Sequence, residues 1–173
     1  SYVAMRKDDK AGLVTFNEYF DTFVPASKQV GQMQTLLENL YKQETTFGET
    51  DFSALCGHLG KHVNKRSFLV LYTNFSNMTS LNRQLVYLQQ LARQHRVLVV
   101  FFEDADLKEY IAGKSVTTEE YYRHVIAEKF AFEKRLIVST LKQHGIYSLL
   151  TTPDKLSIDV INKYLEMKSR QLL

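Results

Sequence analysis

The chain has 173 residues, 45% apolar and 24% charged, with a formal net charge of +3. That composition is globular, and one domain of this length buries roughly 70% of its unfolded surface, which is enough for a real core. Lys and Arg are scattered rather than gathered into a stripe, so nucleic acid is not expected as a partner, and no apolar run approaches the roughly 18 residues that span a bilayer.

Ser1 to Lys7 has no charged head followed by an apolar run, and reads as the last turns of a helix. Ala11 to Phe16 is a short β-rich run. Asn17-Glu18 separates it from Tyr19 to Val24, which alternates aromatic and polar residues. Two such runs joined by turn residues predict a hairpin, with Pro25 ending its second strand. Val30, Met33, Leu36, Leu37, Leu40 and Tyr41 then recur at helical spacing. Thr45 to Glu49 is a polar loop. A helix is predicted from about Asp51 to Val63, with Phe52, Leu55, Leu59 and Val63 on one side. Its Gly57 and Gly60 are expected to allow close helix packing. Cys56 is the single cysteine, so no intrachain disulfide forms, which fits a reducing compartment.

Ser67 to Thr73 is apolar almost throughout, as expected of a strand covered on both faces of a parallel sheet. Leu81, Leu85, Leu88 and Leu91 mark the next helix, and Val97 to Phe102 a second unbroken apolar strand. A short helical piece is predicted near Leu107 to Ala112, and a long helix from Thr118 to Gln143. In that helix Tyr121, Tyr122, Phe130 and Phe132 are expected to serve packing. His144-Gly145 stops it. Ile146 to Leu150 is the last strand, Pro153 starts a turn, and Ile158 to Leu172 closes the chain as a helix. Strands alternating with helices predict βαβ units in a mostly parallel sheet with helices on both faces and one antiparallel edge strand, in a single α/β domain over residues 1–173.

Ligands of open α/β sheets bind at the carboxyl ends of the strands. Here that rim would hold Asn17, Asn74, Glu103 and Asp104, with Thr50 joining from the loop before the second helix. Several oxygens of this kind at short distance suit a hard cation. The same residues also suit caps and turns: Thr50 or Asp51 as an N-cap, Asn74 and Asp104 at strand ends. His58 and His62 lie four apart, a spacing that can share a metal, yet no Glu follows His58 and Cys56 points elsewhere on the helix. No glycine-rich phosphate loop or nucleophile elbow occurs, and no nucleophile, base and oxyanion donor come together, so no enzymatic activity is expected.

Three stretches resemble von Willebrand factor A-like domains. Asp9-Lys10-Ala11-Gly12-Leu13-Val14-Thr15-Phe16 looks like their second strand, and Thr50-Asp51-Phe52-Ser53-Ala54-Leu55 like their threonine loop and helix start. Ser67 to Asn74 looks like their fourth strand, with Asn74 where the family carries an aspartate. The ending from Val160 to Arg170 is similar to that of an uncharacterised bacterial family, domain of unknown function number fifty-eight. The resemblance implies a Rossmann-like sheet and a metal-ion-dependent adhesion site. That site would be degenerate: its Asp-x-Ser-x-Ser loop does not occur, Thr50 is retained, Asn74 brings no charge, and Asp104 completes the rim. Magnesium binding is therefore expected to be weak or absent.

The family's first strand is also missing from the sequence. It implies a piece cut from a longer protein, in which the strands of residues 11–16 and 67–73 pair directly or another chain fills the gap; a homodimer is one such arrangement. Family members are often encoded beside MoxR-type AAA+ ATPases. The resemblance thus implies a cytoplasmic interaction module or adaptor for such an ATPase, in some cases facing the cytoplasm from a membrane-anchored protein. The alternative reading is a small-molecule or nucleotide-binding α/β enzyme that uses the same rim.

Overall fold

In the computed structural model the chain is described over residues 1–17, 20–44, 50–75, 77–103 and 117–173. Glu18 of the predicted turn, the loop Thr45 to Glu49, Asp104, and the helical piece near Leu107 to Ala112 lie outside the described residues. The chain divides into two compact units, Ser1–Asn64 and Lys65–Leu173.

The first unit holds helix α1 (Tyr2–Arg6), strands β1 (Ala11–Phe16) and β2 (Phe20–Ser27), and helices α2 (Gln32–Tyr41) and α3 (Phe52–His62). β1 and β2 form a two-stranded antiparallel sheet. Pro25 does not end β2, which runs on to Ser27. Between the pairs Ala11–Ser27 and Leu13–Val24 the register shifts, so that Pro25 and Ala26 face the single residue Gly12. A bulge is one of the few places where a strand accommodates a residue with no N–H. The Gln32 side chain on α2 closes this region, donating from Nε2 to Ala11 O at 2.8 Å and to Pro25 O at 3.0 Å. Ala11, Val24 and Leu36 are buried together, with Met5 and Leu13 packed against them.

Of the apolar series predicted for α2, only Leu36 is buried; Val30 precedes the helix, and Leu37, Leu40 and Tyr41 are exposed. In α3 the residues Phe52, Leu55, Cys56 and Leu59 are buried. Phe52 meets Phe16 edge to face at 5.5 Å. Gly57 and Gly60 do not serve close packing, because an added Cβ at either would meet nothing within 4 Å.

The second unit is a three-stranded parallel sheet in the order β3 (Phe68–Tyr72), β4 (Arg96–Phe102), β5 (Tyr147–Thr151). Parallel neighbours need a crossover, and helices α4 (Met78–Gln94) and α5 (Thr118–Gln143) lie in the two connections, followed by α6 (Leu156–Ser169). The molecule is thus mixed α/β, with the antiparallel pair in a sheet of its own rather than as an edge of the parallel one. Among the described residues, β1 and β3 belong to different sheets.

β4 is the centre: Val97 through Phe101 are all buried. β3, equally apolar in sequence, is only half-buried, because β4 pairs with one of its edges and no described strand pairs with the other. α4 buries Leu81, Leu88 and Leu91, and α5 buries Ala127, Ile137 and Leu141. Each large side chain removed from water in this way contributes about 1.5–3 kcal/mol. α5 starts with a capping box in which Thr117 and Glu120 bond reciprocally. It stops at Gly145, whose φ of 72° is a left-handed conformation that glycine adopts without strain. Tyr121, Tyr122, Phe130 and Phe132 do not pack into the core; all four are exposed.

The amino ends of β3 and β4 are tied by a buried imidazole. His95, 2% exposed, accepts the Ser67 N–H at Nδ1 (3.3 Å), so its proton sits on Nε2. Arg96 N donates to Ser67 O at 2.9 Å, and Arg96 Nε to Leu172 O at 3.1 Å. Burial lowers the His95 pKa, and His58 is lowered as well, by desolvation first and then by His62 and Lys61.

Two predictions follow from this packing. An alanine Cβ at Gly12 would lie 2.8 Å from Val24 O and 2.9 Å from Ala26 N, both backbone atoms that cannot step aside. Gly12→Ala should therefore lower unfolding stability by about 1–3 kcal/mol. Gly57→Ala, in open space inside a helix, should raise it by about 0.5–1 kcal/mol. Urea unfolding of both variants checks the pair.

The second concerns pH. A histidine with a depressed folded pKa binds fewer protons in the native than in the unfolded chain, so its contribution is complete above the ordinary value of about 6.5 and is lost as pH falls below it. The urea midpoint should fall on acidification through that range, and less steeply in His95→Gln.

Candidate interaction rim at the carboxyl end of the parallel sheet

β3 hands over to α4 through a short polar turn. Thr73 N still donates to Val100 O at 3.2 Å, which keeps the chain in register with β4 for one residue beyond the strand. Phe75 then turns inward; it is buried, with its ring 5.8 Å from that of Phe101. Asn77 caps α4, accepting the Ser80 N–H at 2.9 Å. Asn74 is left at the rim between the strand end and the buried Phe75.

Lys134, reaching from α5, meets this turn. Its ammonium donates to Asn74 Oδ1 and, at 3.1 Å, to the Phe75 carbonyl. It also lies 5.9 Å from the centroid of the Phe101 ring, a cation–π distance. The Lys134 pKa is lowered by burial. Both oxygens that receive the ammonium are neutral, so the turn solvates a positive charge without cancelling it.

The sequence-predicted rim residues fall as follows. Asn74 is at the end of β3, in the second unit. Thr50 precedes α3 in the first unit, where Asp51 rather than Thr50 is the N-cap, accepting Ser53 N at 2.8 Å and Ala54 N at 3.0 Å. The Asp51 N–H bonds Asn17 O at 2.9 Å, which joins the end of β1 to the start of α3. Glu103 follows β4, its N–H bonded to Thr151 O at 2.9 Å. Asp104 lies outside the described residues.

Lys134 is the rim residue that sequence reasoning missed. It stands 60 positions from Asn74 in the mixed-charge run Glu133-Lys134-Arg135, and no local pattern distinguishes it from its neighbours.

The Asn74–Lys134 pair does not suit a divalent cation. Such an ion requires several charged oxygens at short range. The only side-chain oxygen of Asn74 is already engaged by an ammonium, whose charge would repel the ion. The histidine pair is no better suited. His58 and His62 stack at 4.0 Å with planes 13° apart, so their ring nitrogens run parallel instead of converging. His62 Nδ1 is occupied with His58 O at 3.0 Å, and Phe23 packs against both rings. Cys56 is buried, and burial, then the Asp51 charge, push its thiol up to about 11, which makes it a poor ligand or nucleophile. Among the described residues, no group of three or more His, Cys, Asp and Glu side chains could hold a metal.

Mg²⁺ should accordingly leave the melting temperature of the chain unchanged in thermal unfolding. Asn74→Asp should raise it modestly, by pairing a carboxylate with the Lys134 ammonium, and should still show no Mg²⁺ shift. Lys134→Met should cost about 1–3 kcal/mol through the charge-assisted bonds it removes.

No helix among the described residues is long and apolar enough to cross a membrane. Comparison with curated proteins found no match, and comparison with solved structures found none. The model of the family described as "Protein of unknown function DUF58" matches residues 1–114. That span takes in β1 to β4 and the Asn74 turn, while Lys134 lies beyond it. With this much of its length matched, the chain belongs to the family DUF58.

Proposed function

We propose that this chain is a non-enzymatic protein-interaction module of von Willebrand factor A type. On this reading its rim docks a partner protein without a divalent cation, and the partner is a MoxR-type AAA+ ATPase. The observation that carries the reading is the Lys134–Asn74 contact at the carboxyl end of β3. It puts a partly desolvated positive charge on neutral oxygens where an α/β sheet offers its ligand-binding edge. A charge so placed recognises a surface, and by itself it performs no bond-breaking step. The resemblance to von Willebrand factor A-like domains supports the adhesion-type use of that edge. The choice of ATPase and of a cytoplasmic location rests on what the resemblance implies.

A catalytic use of the same rim requires a deep pocket with convergent polar groups. One groove of about 330 Å³ on the second unit, on the half of α4 remote from the Asn74 turn, is lined by Val86, Gln89, Gln90, Arg93 and Gln94. That lining holds one guanidinium and no carboxylate, imidazole or thiol for acid–base work.

The test is binding to a MoxR-type ATPase from the same genome, measured by pull-down and by titration. Asn74→Ala and Lys134→Glu should each weaken binding on the order of tenfold or more, as expected for charged contacts at an interface. Removal of divalent ions by EDTA should not weaken it, in a nucleotide state of the ATPase that needs no Mg²⁺. Binding left intact by both substitutions would overturn the reading.

A further inference from the structure

Basic side chains that lie far apart in the sequence meet at the amino end of the parallel sheet. β3 and β4 start level, with Phe68 opposite Arg96, and β5 starts two residues further in, Tyr147 facing Leu98, a step of about 7 Å. Each crossover helix runs back along the sheet, so α4 and α5 both finish at this end. α6 finishes there too, since Arg96 Nε reaches Leu172 O just beyond it. Lys65 and Arg66 therefore lead into β3, Arg93 and Arg96 flank the turn from α4 to β4, Lys142 ends α5, and Arg170 follows α6. Segments 64–72, 86–98, 139–150 and 167–173 contain no Asp or Glu. Glu166, just before the last of these, is already shared by Lys163 at 2.9 Å and Arg170 at 3.2 Å. Lys65, Arg66, Arg93 and Lys142 are exposed, and none of the four forms an ion pair with a described residue.

Part of this charge has a local use. The carboxyl end of a helix carries about half a negative charge, so three such ends call for about 1.5 positive charges. Four unpaired cations, with Arg96 and Lys168 beside them, exceed that need. At the far end of the unit the sign is not uniform, since Glu119, Glu120 and Asp154 stand near Arg123 and Lys155 in the sequence. The unit thus has one basic face, at the amino ends of its strands. The helices present carbonyls there and not N–H groups, so they do not grip a phosphate closely. The exposed rings Tyr72, Phe102, Tyr121 and Tyr122 belong to the other end, which leaves the cations without a platform for stacking bases. What remains is a level array of mobile charges, suited to the long-range field of an anionic plane. Arg93 also lines the groove on α4, whose other polar walls are the amides of Gln89, Gln90 and Gln94; none of these opposes its guanidinium.

We propose that the amino end of the parallel sheet is a docking face for an anionic lipid surface, held by Lys65, Arg66, Arg93 and Lys142 against the phosphate headgroups. The contact is peripheral and electrostatic. It sets the strands across the membrane plane, with their carboxyl ends and the Asn74–Lys134 turn directed away from the lipid. The proposal does not depend on the ATPase as partner, because none of its cations belongs to that turn.

The test is co-sedimentation of the chain with phosphatidylcholine vesicles, with and without phosphatidylglycerol. The chain should bind only the vesicles that contain phosphatidylglycerol, and added salt should release it. Each charge at a lipid surface is worth roughly fivefold in binding, so Arg66→Glu with Arg93→Glu should weaken it on the order of a hundredfold. Lys65→Glu with Lys142→Glu should do the same, which excludes a local distortion at either pair. Arg123→Glu with Lys155→Glu changes the net charge equally at the other end of the unit and should leave vesicle binding essentially intact. Thermal unfolding of all three double variants checks that each is folded under the conditions of the assay. No binding to phosphatidylglycerol at low salt, equal binding to phosphatidylcholine alone, or an equal loss in the Arg123 and Lys155 variant would overturn the proposal. So would release by inorganic phosphate at an ionic strength where chloride has no effect, which would mark a small-anion site, or tighter binding to duplex DNA than to the vesicles, which would mark a nucleic-acid face.

Discussion

The parallel pairing of β3, β4 and β5 is the constraint on which the second unit rests. Parallel neighbours cannot be joined by a tight turn, so each connection must return to the starting edge of the sheet, and a helix that shields the sheet does this at least cost. With both neighbours paired to it, β4 exposes neither edge, and its side chains from Val97 to Phe101 are buried. The same constraint gathers all three strand ends on one side. Asn74, Glu103 and Thr151 follow or finish their strands there.

Much of this was legible because the period of the apolar residues changes where the structure changes. Leu81, Leu88 and Leu91 are at helical spacing and are the buried residues of α4. The run from Val97 to Phe102 is too short and too β-branched for a helix. The bounds of α5 were readable from both ends, at Thr118 and at His144-Gly145. What failed was burial, which periodicity does not determine. β3 and β4 are almost equally apolar, yet only β4 is covered throughout, because coverage depends on which strand lies between two others. Tyr121 and Phe130 look like core residues in sequence and are surface residues in the structure. Pro25 failed for a different reason: the rule that proline ends a strand holds for regular ladders, and the bulge opposite Gly12 exempts it.

The site was half legible. Asn74 stands out in the sequence because a strand must end there in a polar residue. Lys134 could not stand out, since a lysine among Glu133 and Arg135 on a long helix is indistinguishable from a solvated one. Only the packing of α5 on the sheet turns that ammonium toward Asn74 Oδ1 and the Phe75 carbonyl. The pairing also gives a physical reason for an amide at this position. An aspartate would neutralise the ammonium at this turn. Asparagine holds the lysine in place and leaves its charge in force.

α5 thereby serves two surfaces from one rigid body. Lys134 lies on the side of the helix that meets the sheet, near Ile137 and Leu141. Phe132 and Leu136, two residues before and after it, face away. Successive residues of a helix cannot rotate independently, so the azimuth that aims Lys134 at Asn74 is the azimuth that turns Phe132 and Leu136 outward. A roll of α5 that hid Phe132 and Leu136 would withdraw the ammonium from the rim. Whatever covers Phe132 and Leu136 therefore stabilises the orientation in which Lys134 reaches Asn74. In thermodynamic terms, occupancy of the outer face and order at the rim are linked through the single rotational freedom of this helix.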